Sequence, residues 1–284
     1  MPELPEVETV ARGLAKRVAG DTIEAVWLGS KPEPLKSPAS EIVATLESKR
    51  ISNVRRVGKH IVIDLENGGR SSPRRKTKLA DKSVRPTQAQ WIIHLGMTGR
   101  MLVCQPDDEV EKHTHAIAKL RSGRELRFVD PRRFGRLSVT HGFQAPGSEP
   151  LEVELERFVA LFHGRKTPIK SALLNQKLLS GVGNIYADES LFRAKIRPKW
   201  RASSLSKEDL RRLYLAVQGV LKEAIKLGGS SISDYVDADG EEGFFQLQHR
   251  VYGREGEPCL VCKTPIKRIV IGGRSSHYCP HCQK

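Results

Sequence analysis

The sequence predicts an α+β chain of several units, and three observations carry that prediction. One amphipathic helical stretch at the start is followed by many short alternating runs, the pattern of a two-layer β-sandwich. From about residue 152 the apolar residues recur at helical spacing instead. Four of the five cysteines then fall in two tight pairs near the end. The expected units are an N-terminal helix with a β-sandwich over 1–143, a Gly/Pro-containing linker at 144–151, a helical module over 152–240, and a cysteine ribbon over 241–284.

Val7, Val10, Leu14 and Val18 share one helical face, so residues 5–18 read as the first helix. Ile23, Ala25 and Trp27 alternate, as do Ile61, Ile63 and Leu65, and strand-like runs cover 91–95, 116–120, 126–129 and 136–140. Helical segments are expected at 152–162, 168–179 and 184–194. A longer helix begins at Ser206, which with Asp209 forms a capping-box pattern. Leu210, Leu213, Val217, Leu221 and Ala224 form its stripe, and Gly228-Gly229 ends it. No internal repeat is visible.

The balance of charge narrows the partner. With 48 basic against 33 acidic residues the net charge is +15 and the pI about 9.8, which favours a polyanion, above all nucleic acid. No apolar run reaches the length of a membrane span, and the acidic start is unlike a secretory signal, so a cytoplasmic protein is expected. Residues 70–88 carry seven basic residues and one acid. Such a run is either a solvated loop or an arm that lies along a phosphate backbone.

Chemistry gathers at both ends of the chain. Met1-Pro2-Glu3-Leu4-Pro5-Glu6 permits removal of the methionine, leaving the secondary amine of Pro2 beside the Glu3 carboxylate. A terminal amine of this kind is partly neutral near pH 7 and forms Schiff bases without a cofactor. The same six residues also read simply as a helix start, with Pro5 in the first turn. At the other end, Cys259-x2-Cys262 and Cys279-x2-Cys282 stand sixteen residues apart, the spacing of a four-thiolate zinc site. Two CxxC disulfides would be strained, and a site with four thiolates has no open position, so the zinc is structural. Cys104 is left over and is expected in the core. Gly181-Val182-Gly183-Asn184 joins two helices and lacks the context of a dinucleotide site. It could present backbone N–H groups to a phosphate, or serve only as a turn.

Motifs along the whole chain resemble those of the formamidopyrimidine-DNA glycosylases. They are MPELPEVET at 1–9, GKH at 58–60, HLGMTGR at 94–100, KHTH at 112–115, DPRRFG at 130–135, KTPIK at 166–170, LLSGVGNIYADESLF at 178–192, DYVDADGEEGFFQ at 234–246 and HRVYGREGEPC at 249–259, followed by the ribbon. The resemblance implies a helix–two-turn–helix module, one structural zinc, and a monomer acting on damaged double-stranded DNA. The implied activity is excision of oxidised purines (8-oxoguanine and formamidopyrimidines) in base excision repair, followed by β,δ-elimination at the abasic site. Pro2 would be the nucleophile and Glu3 the proton donor, with Lys59 and Arg274 serving the two eliminations and holding phosphate. Asn184, His113, Arg132 and Lys166 would contact DNA. Met97, Arg132 and Phe134 would fill the gap left by the extruded nucleotide, and the loop at 228–235 would cover the base. Leu4 in PELPE favours this branch over the related endonuclease-VIII-type enzymes. A non-catalytic zinc-ribbon protein that binds damaged DNA is the reading from another class. The basic run at 70–88 departs from the family pattern.

Overall fold

The computed structural model describes residues 1–67, 89–231, 238 and 240–284. The basic run at 70–88 and residues 232–235 of the expected covering loop lie outside them. Helix α1 (Leu4–Val18) begins one residue before Pro5 and buries Val7, Val10, Leu14 and Val18, the stripe seen in the sequence. It is followed by β1 (Ile23–Leu28), α2 (Ala39–Leu46), β2 (Lys49–Val57), β3 (His60–Asn67), β4 (Ala89–His94), β5 (Arg100–Cys104), β6 (Thr114–Leu120), β7 (Glu125–Val129) and β8 (Arg136–His141). The strands form two four-stranded antiparallel sheets, β1-β6-β7-β5 and β2-β3-β4-β8, which is the expected sandwich. Ile61, Ile63, Trp91, Ile93, Phe128 and Leu137 fill its core together with Val10 and Leu14 of α1. A Leu14→Ala change there would cost about 2–5 kcal/mol.

Three elements were not legible beforehand. α2 is short, and β5 follows a glycine-rich turn. β2 carries Lys49, Arg50, Arg55 and Arg56, and a register shift between Ile51 and Asn53 breaks its alternation. β3 also differs from simple alternation, since Val62 is as buried as Ile61 and Ile63. Its polar residue Asp64 is held by Arg55 Nε at 2.9 Å and Gln90 Nε2 at 2.7 Å.

The second body contains α3 (Leu155–Phe162), α4 (Ile169–Leu174), α5 (Asn184–Arg193) and α6 (Lys207–Lys226). α4 stops five residues short of the expected 179. Asn175 Oδ1 accepts from the Lys177 N–H at 3.0 Å and Gln176 Nε2 donates to the Val182 carbonyl at 2.8 Å, so local side-chain bonds replace the next helical turn. Ser206 caps α6 as expected, accepting from the Asp209 N–H at 3.1 Å, and Gly228 and Gly229 end it with φ of 75° and 85°.

The two bodies exchange residues. Leu4 of α1 is buried in the core of the helical body, whereas Ala238, beyond α6, is buried in the sandwich core. The chain closes with a ribbon hairpin, β9 (Lys267–Ile271) and β10 (Arg274–Tyr278), joined by Gly272-Gly273 at φ 56° and 74°. No helix among the described residues is long and apolar enough to cross a membrane.

Candidate active site

An open cavity of about 760 Å³ lies where sandwich, helical body and ribbon meet, and Met1, Glu3, Lys59, Met97, Asn184 and Arg274 all line it. Residues far apart in the chain are thus brought to one place. Arg132 is not part of this lining, and its charge disfavours the protonated terminal amine.

The N-terminus is strapped into the helical body. The Leu4 N–H donates to the Gly181 carbonyl at 3.0 Å, and Pro2 and Glu3 are buried. Glu3 Oε1 accepts from the Ile185 N–H at 3.1 Å, in the first turn of α5, where the helix dipole favours a carboxylate. The other oxygen, Oε2, is buried with no hydrogen-bond partner among the described residues. A Cβ at residue 183 would lie 2.2 Å from Glu3 Cδ, so only glycine lets the carboxylate sit there. The Gly181–Asn184 turn therefore holds a carboxylate of its own chain. The amine at Met1 has its pKa lowered first by burial and further by Lys59 and Arg132, against the pull of Glu3 and Glu6.

Lys59 stands in the two-residue turn between β2 and β3, where Val57 pairs with His60 and Gly58 adopts φ 60°. It is 8% exposed. Burial lowers its pKa, Glu3 and Glu6 oppose that shift, and Arg274 adds repulsion. Behind Glu3, Glu6 takes hydrogen bonds from Tyr186 Oη, from the Glu3 N–H at 2.8 Å and from the Ser230 N–H at 2.8 Å. Burial, then Glu3, pushes the Glu6 pKa up.

Arg274 begins β10, and buried groups fix that strand. Lys170 Nζ and Asp188 Oδ1 form a fully buried pair at 2.7 Å. Asp188 also accepts from Ser276 Oγ at 3.1 Å and the His277 N–H at 2.9 Å, while Lys170 donates to the Ser275 carbonyl at 2.6 Å. Asn184 Nδ2 reaches Ser275 Oγ at 3.4 Å. The neighbouring Glu189 gathers the N–H groups of Arg250, Val251 and Tyr252 at 2.9–3.0 Å, and Tyr252 lines the cavity. Asn184 apart, none of these supporting residues was singled out from the sequence. The signal was present, because α5 is apolar around two adjacent acids, and acids buried in such a helix require partners.

The sulfur atoms of Cys259, Cys262, Cys279 and Cys282 all lie within 4.8 Å of one another. Zn–S bonds of about 2.3 Å place tetrahedral thiolates about 3.8 Å apart. The Cys259–Cys282 and Cys262–Cys279 separations of 3.9 and 3.4 Å fit that ion. Cys279→Ser is expected to release zinc, loosen the hairpin bearing Arg274 and weaken DNA binding while the sandwich stays folded. Metal analysis and binding titrations check this, and equal affinity of a chelator-treated sample would refute it.

Met97, Arg132 and Phe134 form a shelf beside the cavity. Asp130 is fully buried and accepts from Thr98 Oγ1 at 2.5 Å and the Gly135 N–H at 2.7 Å, which pins the 96–99 and 131–135 turns together. Met97 and Phe134 are 40% and 52% exposed, unusual for large apolar side chains, and the Arg132 guanidinium lies 4.9 Å from the centre of the Phe134 ring. His113 is exposed at the base of this shelf, its carbonyl accepting from the Asp130 N–H at 3.0 Å. Lys166 is exposed in the α3–α4 turn and does not line the cavity. Cys104 is a correction, being half-buried at the end of β5 rather than in the core.

His249 packs against the rings of Phe245 and Tyr252 and meets Ser230 Oγ at 3.2 Å. Burial lowers its pKa to about 4. The folded chain keeps this imidazole neutral while the unfolded chain takes up a proton below about pH 6.5, so its contribution is full above that value. It is lost as pH falls from about 6.5 to about 4, by up to about 3 kcal/mol. Thermal unfolding between pH 7 and 5 should therefore show a smaller loss of stability for His249→Gln than for the unaltered chain.

Three family descriptions match in order. Residues 1–137 match the formamidopyrimidine-DNA glycosylase N-terminal domain, 146–236 the H2TH domain of the same enzymes, and 256–284 the zinc finger found in FPG and IleRS. The chain belongs to the formamidopyrimidine-DNA glycosylase family. It is 46% identical to the formamidopyrimidine-DNA glycosylase of Solibacter usitatus over the full length of both chains. The MutM (Fpg) protein of Thermus thermophilus superposes with a TM-score of 0.82 at 40% identity, covering 99% of this chain and 98% of that one. A Lactococcus lactis Fpg variant, solved with DNA containing Fapy-dG, superposes with a TM-score of 0.86 at 31% identity over both whole chains. The four-cysteine cluster falls inside the zinc-finger match, so this family member carries one structural zinc site.

Proposed function

We propose that this chain is a bifunctional DNA glycosylase and abasic-site lyase that removes oxidised purines from duplex DNA. The observation that supports it best is the meeting of the terminal amine, Glu3, Lys59 and Arg274 around one open cavity. With Met1 removed, the Pro2 nitrogen attacks C1′ of the damaged nucleotide, and the C1′–base bond breaks as the base leaves. Glu3 gives its proton to the sugar-ring oxygen, the ring opens, and an iminium forms between Pro2 and C1′. Loss of a C2′ proton then expels the 3′ phosphate, with Lys59 placed to hold phosphate and assist that step. Arg274 serves the second elimination, which expels the 5′ phosphate.

Asn184, His113, Lys166 and Arg132 contact the backbone in this reading, and Met97, Arg132 and Phe134 replace the extruded nucleotide in the stack. The functional units run 1–143, 152–240 and 241–284, with 144–151 as linker. Purines are favoured over oxidised pyrimidines by Leu4, while the Lactococcus lactis Fpg has been solved both with Fapy-dG and with an oxidised pyrimidine in its DNA, so the borohydride test carries the choice. The enzyme acts as a monomer in the cytoplasm, on nucleoid DNA. Incubation with duplexes carrying 8-oxoguanine or an oxidised pyrimidine, with borohydride present, tests the whole reading. Faster excision of the pyrimidine would transfer the chain to the endonuclease-VIII type, and binding without strand cleavage would leave a non-catalytic DNA-binding protein.

A further inference from the structure

Arg56 bonds to three parts of the molecule at once. It lies near the end of β2, its side chain is only 6% exposed, and all of its nitrogens donate. Nε donates to Glu8 Oε2 at 2.7 Å, in the second turn of α1. Nη1 and Nη2 donate to the two carboxylate oxygens of Glu149, each at 2.8 Å. Nη1 also donates to the Gly58 carbonyl at 3.1 Å.

Each acceptor is joined to a different member of the site. Glu8 belongs to the helix whose first residues follow Glu3. Gly58 immediately precedes Lys59. Glu149 follows Ser148, whose N–H donates to the Leu178 carbonyl at 3.1 Å and whose carbonyl accepts from the Ser180 N–H at 2.9 Å. Ser180 in turn leads into the glycine turn that seats Glu3. A two-residue turn with glycine at its tip has little stiffness of its own, and Lys59 is held there against its preference for water.

We infer that Arg56 is a positioning residue that sets Lys59 against the terminal amine by tying the β2–β3 turn to α1 and to the linker. The inference rests on the proposed lyase reading. A planar fork with fixed donor directions meets all three acceptors, whereas a lysine ammonium supplies the charge without that span. Arg56 touches no reacting atom, so its effect must appear in the elimination that uses Lys59, ahead of DNA affinity.

The test compares Arg56→Gln and Arg56→Lys with Arg55→Gln, whose partner Asp64 lies outside the site. Single-turnover cleavage of a duplex carrying a preformed abasic site is measured at saturating enzyme, well below each variant's thermal midpoint. Affinity for a duplex with a reduced, uncleavable abasic site is measured in parallel. Displacing a group by about 1 Å lowers such rates about 10²-fold, so Arg56→Gln should lose between about ten- and a hundredfold in cleavage with affinity little changed. Arg56→Lys should recover thermal stability more than cleavage, and Arg55→Gln should match the unaltered chain. Should Arg56→Gln fail to fold, Glu149→Gln keeps the Glu8 and Gly58 bonds and is expected to show a smaller loss in the same sense. Cleavage at the unaltered rate, or affinity and cleavage falling by one common factor, in folded Arg56→Gln, or in Glu149→Gln if Arg56→Gln does not fold, overturns the role of Arg56. An unaltered chain that never cleaves overturns the lyase reading instead.

Discussion

A chain that keeps Met1 will bind duplex DNA containing an abasic site and leave it uncut. In the Met1–Pro2 bond the proline nitrogen is a tertiary amide, with neither a proton nor an available lone pair, so no iminium can form. Removing a covalent nucleophile lowers turnover by roughly 10⁴-fold or more, which places cleavage near background. Affinity should change far less, because Met1 is half exposed at the mouth of the cavity rather than packed in it. The comparison is between processed protein and a chain whose N-terminal extension blocks methionine removal. In processed protein, borohydride should trap DNA on Pro2. Peptide mapping that found the adduct on Lys59 would remove Pro2 from the mechanism.

The second large effect is expected at Glu3. Glu3→Gln keeps the shape of the side chain and its contact with the Ile185 N–H but cannot donate a carboxylic proton. Positioned acids contribute about 10²–10⁴-fold, so excision of an intact lesion should fall by that order. Cleavage of a preformed abasic site should fall much less, since its sugar already opens without base loss. Gly183→Ala should imitate the loss by another route, because its Cβ would stand 2.4 Å from Glu3 Oε1 and drive the carboxylate away from the cavity. Equal losses on the two substrates would assign Glu3 to binding or folding.

Much of the sandwich was legible in the sequence for local reasons, whereas Lys59, Met97 and Arg274 of the cavity lining were named only through the family resemblance. Helical and alternating periods expose α1, β3, β4 and α6, and two cysteine pairs expose the ribbon, because each pattern is written in neighbouring residues. β2 was hidden by its four basic residues and its irregular register. Two of those residues, Arg55 and Arg56, carry no local signal of their partners, which are Asp64 for the first and Glu8 with Glu149 for the second. The apolar surroundings of Asp188 signal that it needs a partner but not which, since nothing local tells that it will meet Lys170, eighteen positions away. Glu3 was found through the chemistry of a terminal amine, but its seat on α5 was not, because that bond spans 182 positions. Residues 70–88 stay a matter of composition alone, lying outside the described structure.

The exchange of Leu4 and Ala238 between the two cores bears on the order of events during synthesis. Leu4 leaves the ribosome long before the Gly181 carbonyl and the pocket for its side chain are made. At elongation rates of about 5–20 residues per second the interval is roughly ten seconds or longer. Through that time Leu4 has no pocket, and the residues ahead of it are open to the processing that exposes Pro2. Once the helical body forms, the same residues are drawn inside and Pro2 is buried. Translation order thus separates the maturation of the nucleophile from its enclosure, and a chain that folded its N-terminal half alone would have nowhere to seat it.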